Sequence, residues 1–263
     1  MDKNKYHYVL VHGDCHGAWC WYKLATLLKS FSHKVTAIDM ASSGMDLKPV
    51  QEIRSITDYF EPLMLFMEAL PMEETVILVG HSRGGIDISI AMERFPGKIA
   101  AAIFVTATMP GPHLDLPTVS KKFDGQLGSP MDNEYTYGQG NDKHPTSYLI
   151  GPKFLASRLY QLSPPEDLTL ATCLIRPSPL FVDFQKSSKE TALTRGNYGS
   201  IPRAYVVCDQ DNCMKEEMQR WLIDNNPPNE VKVIRGSDHM AMMSKPNDLC
   251  SFLLEIGDKY CSG

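Results

Sequence analysis

Six consecutive residues, Gly80-His81-Ser82-Arg83-Gly84-Gly85, have the types and spacing of a serine nucleophile carried on a tight turn. An apolar run (residues 75–79) precedes them and an apolar-periodic stretch (86–94) follows, the strand–turn–helix setting in which G-x-S-x-G carries meaning. The glycines permit the turn, and the following helix directs its positive end at the serine, which favours an oxyanion. A serine hydroxyl is a weak nucleophile at neutral pH, so acyl transfer requires a base and a group that orients the base. On a sheet built this way the chain order is serine, acid, histidine. His239 is the only one of the eight histidines beyond the acid candidates. Asp209 and Asp211 both follow the strand-like run 203–207, and spacing does not separate them. Asp238 adjoins His239 and reads as a surface or loop-bracing carboxylate. Two backbone N–H groups should receive the oxyanion: that of Arg83, next to the serine, and that of Asp14, in the loop after the first strand. His16 and Trp19 in that loop are candidates for the pocket floor.

These groups need a frame that brings distant stretches to one edge, and the periodicity supplies it. Strand patterns at 8–11, 34–38, 75–79, 99–105, 203–207 and 231–234 alternate with helical patterns at 21–28, 86–94, 216–223 and 248–259. A further helix, capped by Ser55 or Thr57 and running to Glu68, should turn Tyr59, Leu63, Phe66 and Met67 inward. Strands that are continuously apolar rather than alternating are covered on both faces. The pattern predicts an α/β fold, a doubly wound and mostly parallel sheet with right-handed crossovers. From about 110 to 199 the strand signal fades and nine prolines fall between 112 and 179, which predicts a cap inserted over the sheet within a single domain, 1–263.

The chain has 263 residues, 26 Lys+Arg against 31 Asp+Glu and a net charge of −5, with no basic run, which argues against nucleic acid or an anionic membrane as partner. The longest apolar stretch, 99–109, is well short of the roughly 18 residues a membrane-spanning helix requires. No secretory leader pattern follows the charged start, and Cys261 stands third from the end, outside a prenylation box. Seven cysteines and no Asn-x-Ser/Thr site fit a reducing, cytoplasmic setting. The C-x4-C pairs Cys15/Cys20 and Cys208/Cys213 read as thiols beside strand ends rather than as a metal site, and no cofactor is expected.

Several blocks together, His12-Gly13-Asp14-Cys15-His16-Gly17-Ala18-Trp19, Trp21-Tyr22-Lys23, Gly80-His81-Ser82, Gly151-Pro152-Lys153-Phe154, Ser163-Pro164-Pro165-Glu166-Asp167-Leu168 and Asp238-His239-Met240, resemble the plant methylesterase/hydroxynitrile lyase family of α/β-hydrolases, of the methyl salicylate esterase and polyneuridine aldehyde esterase type. The likeness covers essentially the whole chain. It implies the α/β-hydrolase fold, Asp211 as the acid, and an apolar pocket formed by Tyr148, Ile150, Leu180 and Met240. Relatives of this type are often dimers, which leaves a homodimer open. The lyases of the family have Thr, Glu and Lys where Gly13, His81 and Met240 stand, so cyanohydrin cleavage is disfavoured. The decarboxylating relatives lack the nucleophilic serine, whereas Ser82 is intact, although 125–127 and 163–164 look like that branch.

The resemblance therefore implies a serine esterase acting on the methyl ester of a small plant metabolite, a phytohormone or a carbomethoxy alkaloid, with loss of CO2 open where the released acid is β to a carbonyl. Two alternatives stand beside it: a lyase or decarboxylase using the same cavity without an acyl-enzyme, and a non-catalytic small-molecule receptor. Two positions depart from the family esterases, which have Ala or Gly at Asp14 and an apolar residue at Arg83. An ion pair between them would cancel the penalty of a carboxylate beside the oxyanion. The other readings are that both side chains point to solvent, or that they bind a charged substrate group.

Overall fold

The computed structural model describes residues 5–138, 144–181 and 189–261. Six parallel strands form the central sheet: β1 (His7–Val11), β2 (Lys34–Ile38), β3 (Val76–His81), β4 (Ile99–Val105), β8 (Arg203–Cys208) and β9 (Glu230–Ile234), in the spatial order β2-β1-β3-β4-β8-β9. The order reverses direction between β1 and β3. That is the switch point at whose carboxyl edge ligands of open α/β sheets bind.

Successive strand residues serve two separate cores, which is why the strands read as unbroken apolar runs. On one face Val9, Val11, Leu78, Phe104 and Val207 pack with helices α2 (Ile56–Ala69) and α3 (Gly84–Arg94). On the other, Tyr8, Leu10, Ile77, Val79 and Val206 pack with α1 (Tyr22–Ser30) and the C-terminal helix Pro246–Cys261. Ser55 caps α2 by accepting the Asp58 N–H, and Tyr59, Leu63 and Met67 are buried as the stripe predicts, while Phe66 is only partly buried. Helix α3 begins at Gly84 rather than at residue 86, because small residues let the turn tighten straight into the helix.

The connection from β4 to β8 departs most from the sequence reading. It contains α4 (Leu116–Leu127), three short antiparallel strands β5 (Glu134–Thr136), β6 (Ser147–Leu149) and β7 (Ser178–Pro179), a helical turn α5 (Pro152–Phe154) that runs on as a π-turn over Leu155–Leu159, and α6 (Pro165–Leu174). The strands have two or three residues each, too short for alternation to declare itself. Asp167 of α6 accepts hydrogen bonds from Tyr22 and Lys23, tying this connection to α1.

Candidate active site

Ser82 stands between β3 and α3 with φ +54, a conformation that costs a side chain strain and is held here from both sides. Its N–H donates to the Val105 carbonyl (3.4 Å) and its carbonyl accepts from the Thr108 N–H (2.9 Å). Gly84 explains the motif's second glycine: a Cβ there would lie 2.6 Å from the carbonyl oxygens of Val11 and His12, so only glycine lets α3 start against β1. Gly13 is equally constrained, since a Cβ would lie 2.7 Å from Ser82 Cβ and 3.3 Å from its Oγ.

The loops after β8 and β9 bring Asp211, and not Asp209, to His239. The His239 Nδ1–H donates to Asp211 Oδ2 (2.6 Å), which also accepts from Thr106 Oγ1 (2.5 Å). Asp211 Oδ1 accepts the N–H groups of Cys213 (2.7 Å) and Met214 (2.8 Å). Four donors thus fix the orientation of a buried carboxylate and with it the direction of the imidazole. Asp209 instead accepts the Gly236 N–H (2.7 Å), bracing the β9 loop. Asp238 is also a brace, but a buried one: it accepts from the N–H groups of Leu162 and Met240 and the Ser163 hydroxyl. The His81 Nε2–H donates to the His239 carbonyl (2.8 Å), and burial keeps the His81 ring neutral, far below the ordinary histidine value.

The two main-chain donors expected for an oxyanion flank this pair. The N–H groups of Asp14 and Arg83 make no hydrogen bond among the described residues. His12 Nδ1–H donates to the Gly13 carbonyl (2.8 Å) while His12 Nε2 accepts the Met40 N–H (3.1 Å), which pins the peptide plane bearing the Asp14 N–H. The side chains of the same two residues meet: Arg83 Nη1 lies 2.8 Å from Asp14 Oδ1. Ser178 donates to that oxygen (2.7 Å). Burial disfavours the charge on Asp14, yet Arg83 and Ser178 hold it below the usual carboxylate range. The guanidinium lies 3.9 Å from the Tyr59 ring centroid and 5.1 Å from that of Phe181. The ion pair is therefore formed, with the Arg83 side chain largely buried and that of Asp14 partly open to the cavity.

Ser82, His239, Asp14 and Arg83 line one cavity of about 320 Å³. His16, Tyr148, Ile150 and Leu180 line it as well. Met240 does not. Its N–H is taken by Asp238, and its side chain is fully buried in the core beside α1 and the C-terminal helix, where a long apolar group next to His239 finds room. Trp19 is absent from the lining too, and stacks on His16 with centroids 5.2 Å apart. Sequence reasoning missed the apolar wall that α4 contributes through Leu116, Val119, Phe123 and Leu127. A signal was present, since those positions recur at helical spacing after Asp115, which caps α4 by accepting the Thr118 N–H. Phe154 and Leu159, from the π-turn stretch, and Phe181 complete the apolar lining.

Comparison with known proteins identifies the family. The model of the "Alpha/beta hydrolase family" matches residues 8–251. The chain is 55% identical over 261 residues to methyl jasmonate esterase 1 of Vitis vinifera, covering 99% of this chain and 100% of that one. Tomato methylketone synthase I superposes with a TM-score of 0.94 at 47% identity, over 98% of this chain and 100% of that one. Polyneuridine aldehyde esterase superposes with a TM-score of 0.91 at 40% identity, over 97% and 100% of the two chains.

Proposed function

Because this chain belongs to the α/β-hydrolase family and is an ester-hydrolysing enzyme, we propose that Ser82, His239 and Asp211 hydrolyse the methyl ester of a small plant metabolite. The observation that carries this reading is the Asp211–His239 pair (2.6 Å) meeting Ser82 in one apolar cavity at the carboxyl edge of the sheet. Ser82 Oγ attacks the ester carbonyl while His239 Nε2 takes its proton, and Asp211 stabilises the imidazolium without itself being protonated. The N–H groups of Asp14 and Arg83 receive the oxyanion. The intermediate collapses as His239 protonates the departing methoxide. Water, deprotonated by the same imidazole, then attacks the acyl-serine and releases the acid.

The β4–β8 connection serves as the cap of this cavity and selects the acyl body. With Asp14 already paired to Arg83 and Ser178, an uncharged hydrophobic acyl group of phytohormone size suits the lining better than a cationic one. No helix among the described residues is long and apolar enough to cross a membrane. The seven unpaired cysteines support a cytoplasmic location.

A panel of aromatic and alicyclic methyl esters tests the reading, with Ser82→Ala as control. Turnover that Ser82→Ala abolishes, with a serine-reactive phosphonate bonding to Ser82, is the expected result. Full turnover by Ser82→Ala would overturn it in favour of His239-driven lyase chemistry. Tight binding of the esters without turnover would leave a receptor.

A further inference from the structure

We propose that Tyr160 is a positioning residue for the oxyanion loop, acting through His16. The proposal rests on the ester-hydrolysis reading of the site. His16 is 2% exposed and lies stacked between Trp19 and Tyr160, with the Tyr160 centroid 5.9 Å away and the rings 15° from parallel. The Asp14 carbonyl can only accept, so the His16 ring proton is on Nδ1, which donates to it (2.8 Å), and Nε2 accepts from the Tyr160 hydroxyl (2.7 Å). Burial keeps the ring neutral, its pKa pushed down to about 4. Without the Tyr160 hydroxyl the buried Nε2 is left unpaired, a cost the ring relieves by turning away from the Asp14 carbonyl, after which neither tautomer is held.

The consequence falls on the Asp14 N–H. His12 holds the peptide plane before the Asp14 Cα and His16 holds the plane after it, so together they fix the two dihedrals of that residue. The next residue, Cys15, stands at φ +61, a region strained for a residue with a Cβ, so the loop keeps this conformation only through the contacts that hold it. His12 takes its second hydrogen bond from the main chain of Met40, a rigid partner beside β2. His16 takes its own from Tyr160, at the end of the π-turn, whose N–H bonds five residues back to the Leu155 carbonyl (2.9 Å).

That stretch also grips the other two loops of the site. Gln161 Nε2 donates to the Gln210 carbonyl (2.6 Å) and Asn212 Nδ2 donates to the Ser157 carbonyl (3.2 Å), both in the loop of the acid. Leu162 N–H and Ser163 Oγ donate to Asp238, beside His239. Leu159, immediately before Tyr160, lines the cavity. An acyl group seated against Leu159 therefore presses on the same turn that holds the His16 ring.

Tyr160→Phe removes one oxygen atom and keeps the ring stack. Its kcat on the best methyl ester of the panel should fall about tenfold with KM unchanged within twofold, and a trifluoromethyl ketone that forms a hemiketal with Ser82 should lose the same factor in affinity. In a His16→Phe background, Tyr160→Phe should add no further loss. Independently of turnover, the ¹⁵N shifts of the His16 ring should report the Nδ1–H tautomer in the parent protein and a mixture in Tyr160→Phe. An unchanged kcat with an unchanged tautomer would overturn the proposal. So would a full loss in the His16→Phe background, or a KM that rises with the fall in kcat, since either would make Tyr160 a wall of the pocket only. If the tautomer shifts while the parent protein turns over no methyl ester, the esterase reading fails and the hold of Tyr160 on His16 stands.

Discussion

Removing one charge at a time from the Asp14–Arg83 pair tests whether the pair is part of the oxyanion hole or an ornament beside it. The Arg83 side chain is 10% exposed and that of Asp14 27%, so solvent screens the pair only partly. At 2.8 Å between the closest atoms, with charge centres about 4 Å apart and an effective dielectric near 20, their attraction is about 4 kcal/mol. Arg83→Leu leaves the carboxylate with Ser178 but no cation. A bare negative charge roughly 6 Å from a developing oxyanion raises the barrier by about 3 kcal/mol at the same dielectric, near a hundredfold in kcat. Asp14→Ala leaves a buried guanidinium that would draw the oxyanion toward itself. Its cost is therefore mainly in stability, about 3 kcal/mol in urea unfolding, as for other broken buried pairs. In Asp14→Ala/Arg83→Leu both penalties vanish together, and activity and stability should return to within about tenfold and about 1 kcal/mol of the parent. Single and double substitutions whose effects on kcat and unfolding add within about 0.5 kcal/mol would refute the coupling, and with it the claim that the two charges cancel at the oxyanion.

Asp87, one helical turn after Arg83, is fully buried with no hydrogen-bond partner for either oxygen among the described residues, and burial, opposed by Arg83 and aided by Asp14, pushes its pKa up to about 7. Because the folded form holds the proton that the unfolded form releases near 3.8, stability should decline as pH rises from about 4 to about 7, by at most about 4 kcal/mol. Asp87→Asn should remove that slope in thermal melts and be more stable than the parent at pH 8, whereas parallel pH profiles for the two proteins would contradict the assignment. Thr106→Val, which deletes the 2.5 Å donor to Asp211, should lower kcat about tenfold with the fold intact by circular dichroism. Gly13→Ala places a methyl group 2.7 Å from Ser82 Cβ and should lower kcat/KM more than a hundredfold, a loss that measured rates near the parent value would rule out.

What could be read from the sequence and what could not divides along the range of the contacts involved. The interior strands of the central sheet announce themselves because they must be apolar on both faces, as β4 is, whereas β2, an edge strand with Lys34 exposed, is legible from its β-branched run; both have the bounds the sequence predicts. The opposed charges at Asp14 and Arg83 were legible for a related reason: each sits next to an amide whose position the strand–turn pattern already determines, so two remote residues could be inferred to meet. Asp209 and Asp211 resisted because they differ only in which way a side chain leaves the same loop, and that is decided by Thr106 and the N–H groups of Cys213 and Met214, contacts with no one-dimensional signature. Met240 failed likewise, one residue from His239 yet turned into the core by the hydrogen bond its N–H makes to Asp238. The β4–β8 connection was least legible, since its strands of two or three residues are stabilised by pairing rather than by pattern. The bond from Tyr160 to His16 spans 144 residues of sequence. The sheet places the nucleophile and the loops that carry the other groups, while the least patterned part of the chain decides how those loops are aimed. If the proposed cap and site roles hold, substrate selection and catalytic alignment share this segment, and changes between residues 155 and 163 should move kcat as readily as specificity.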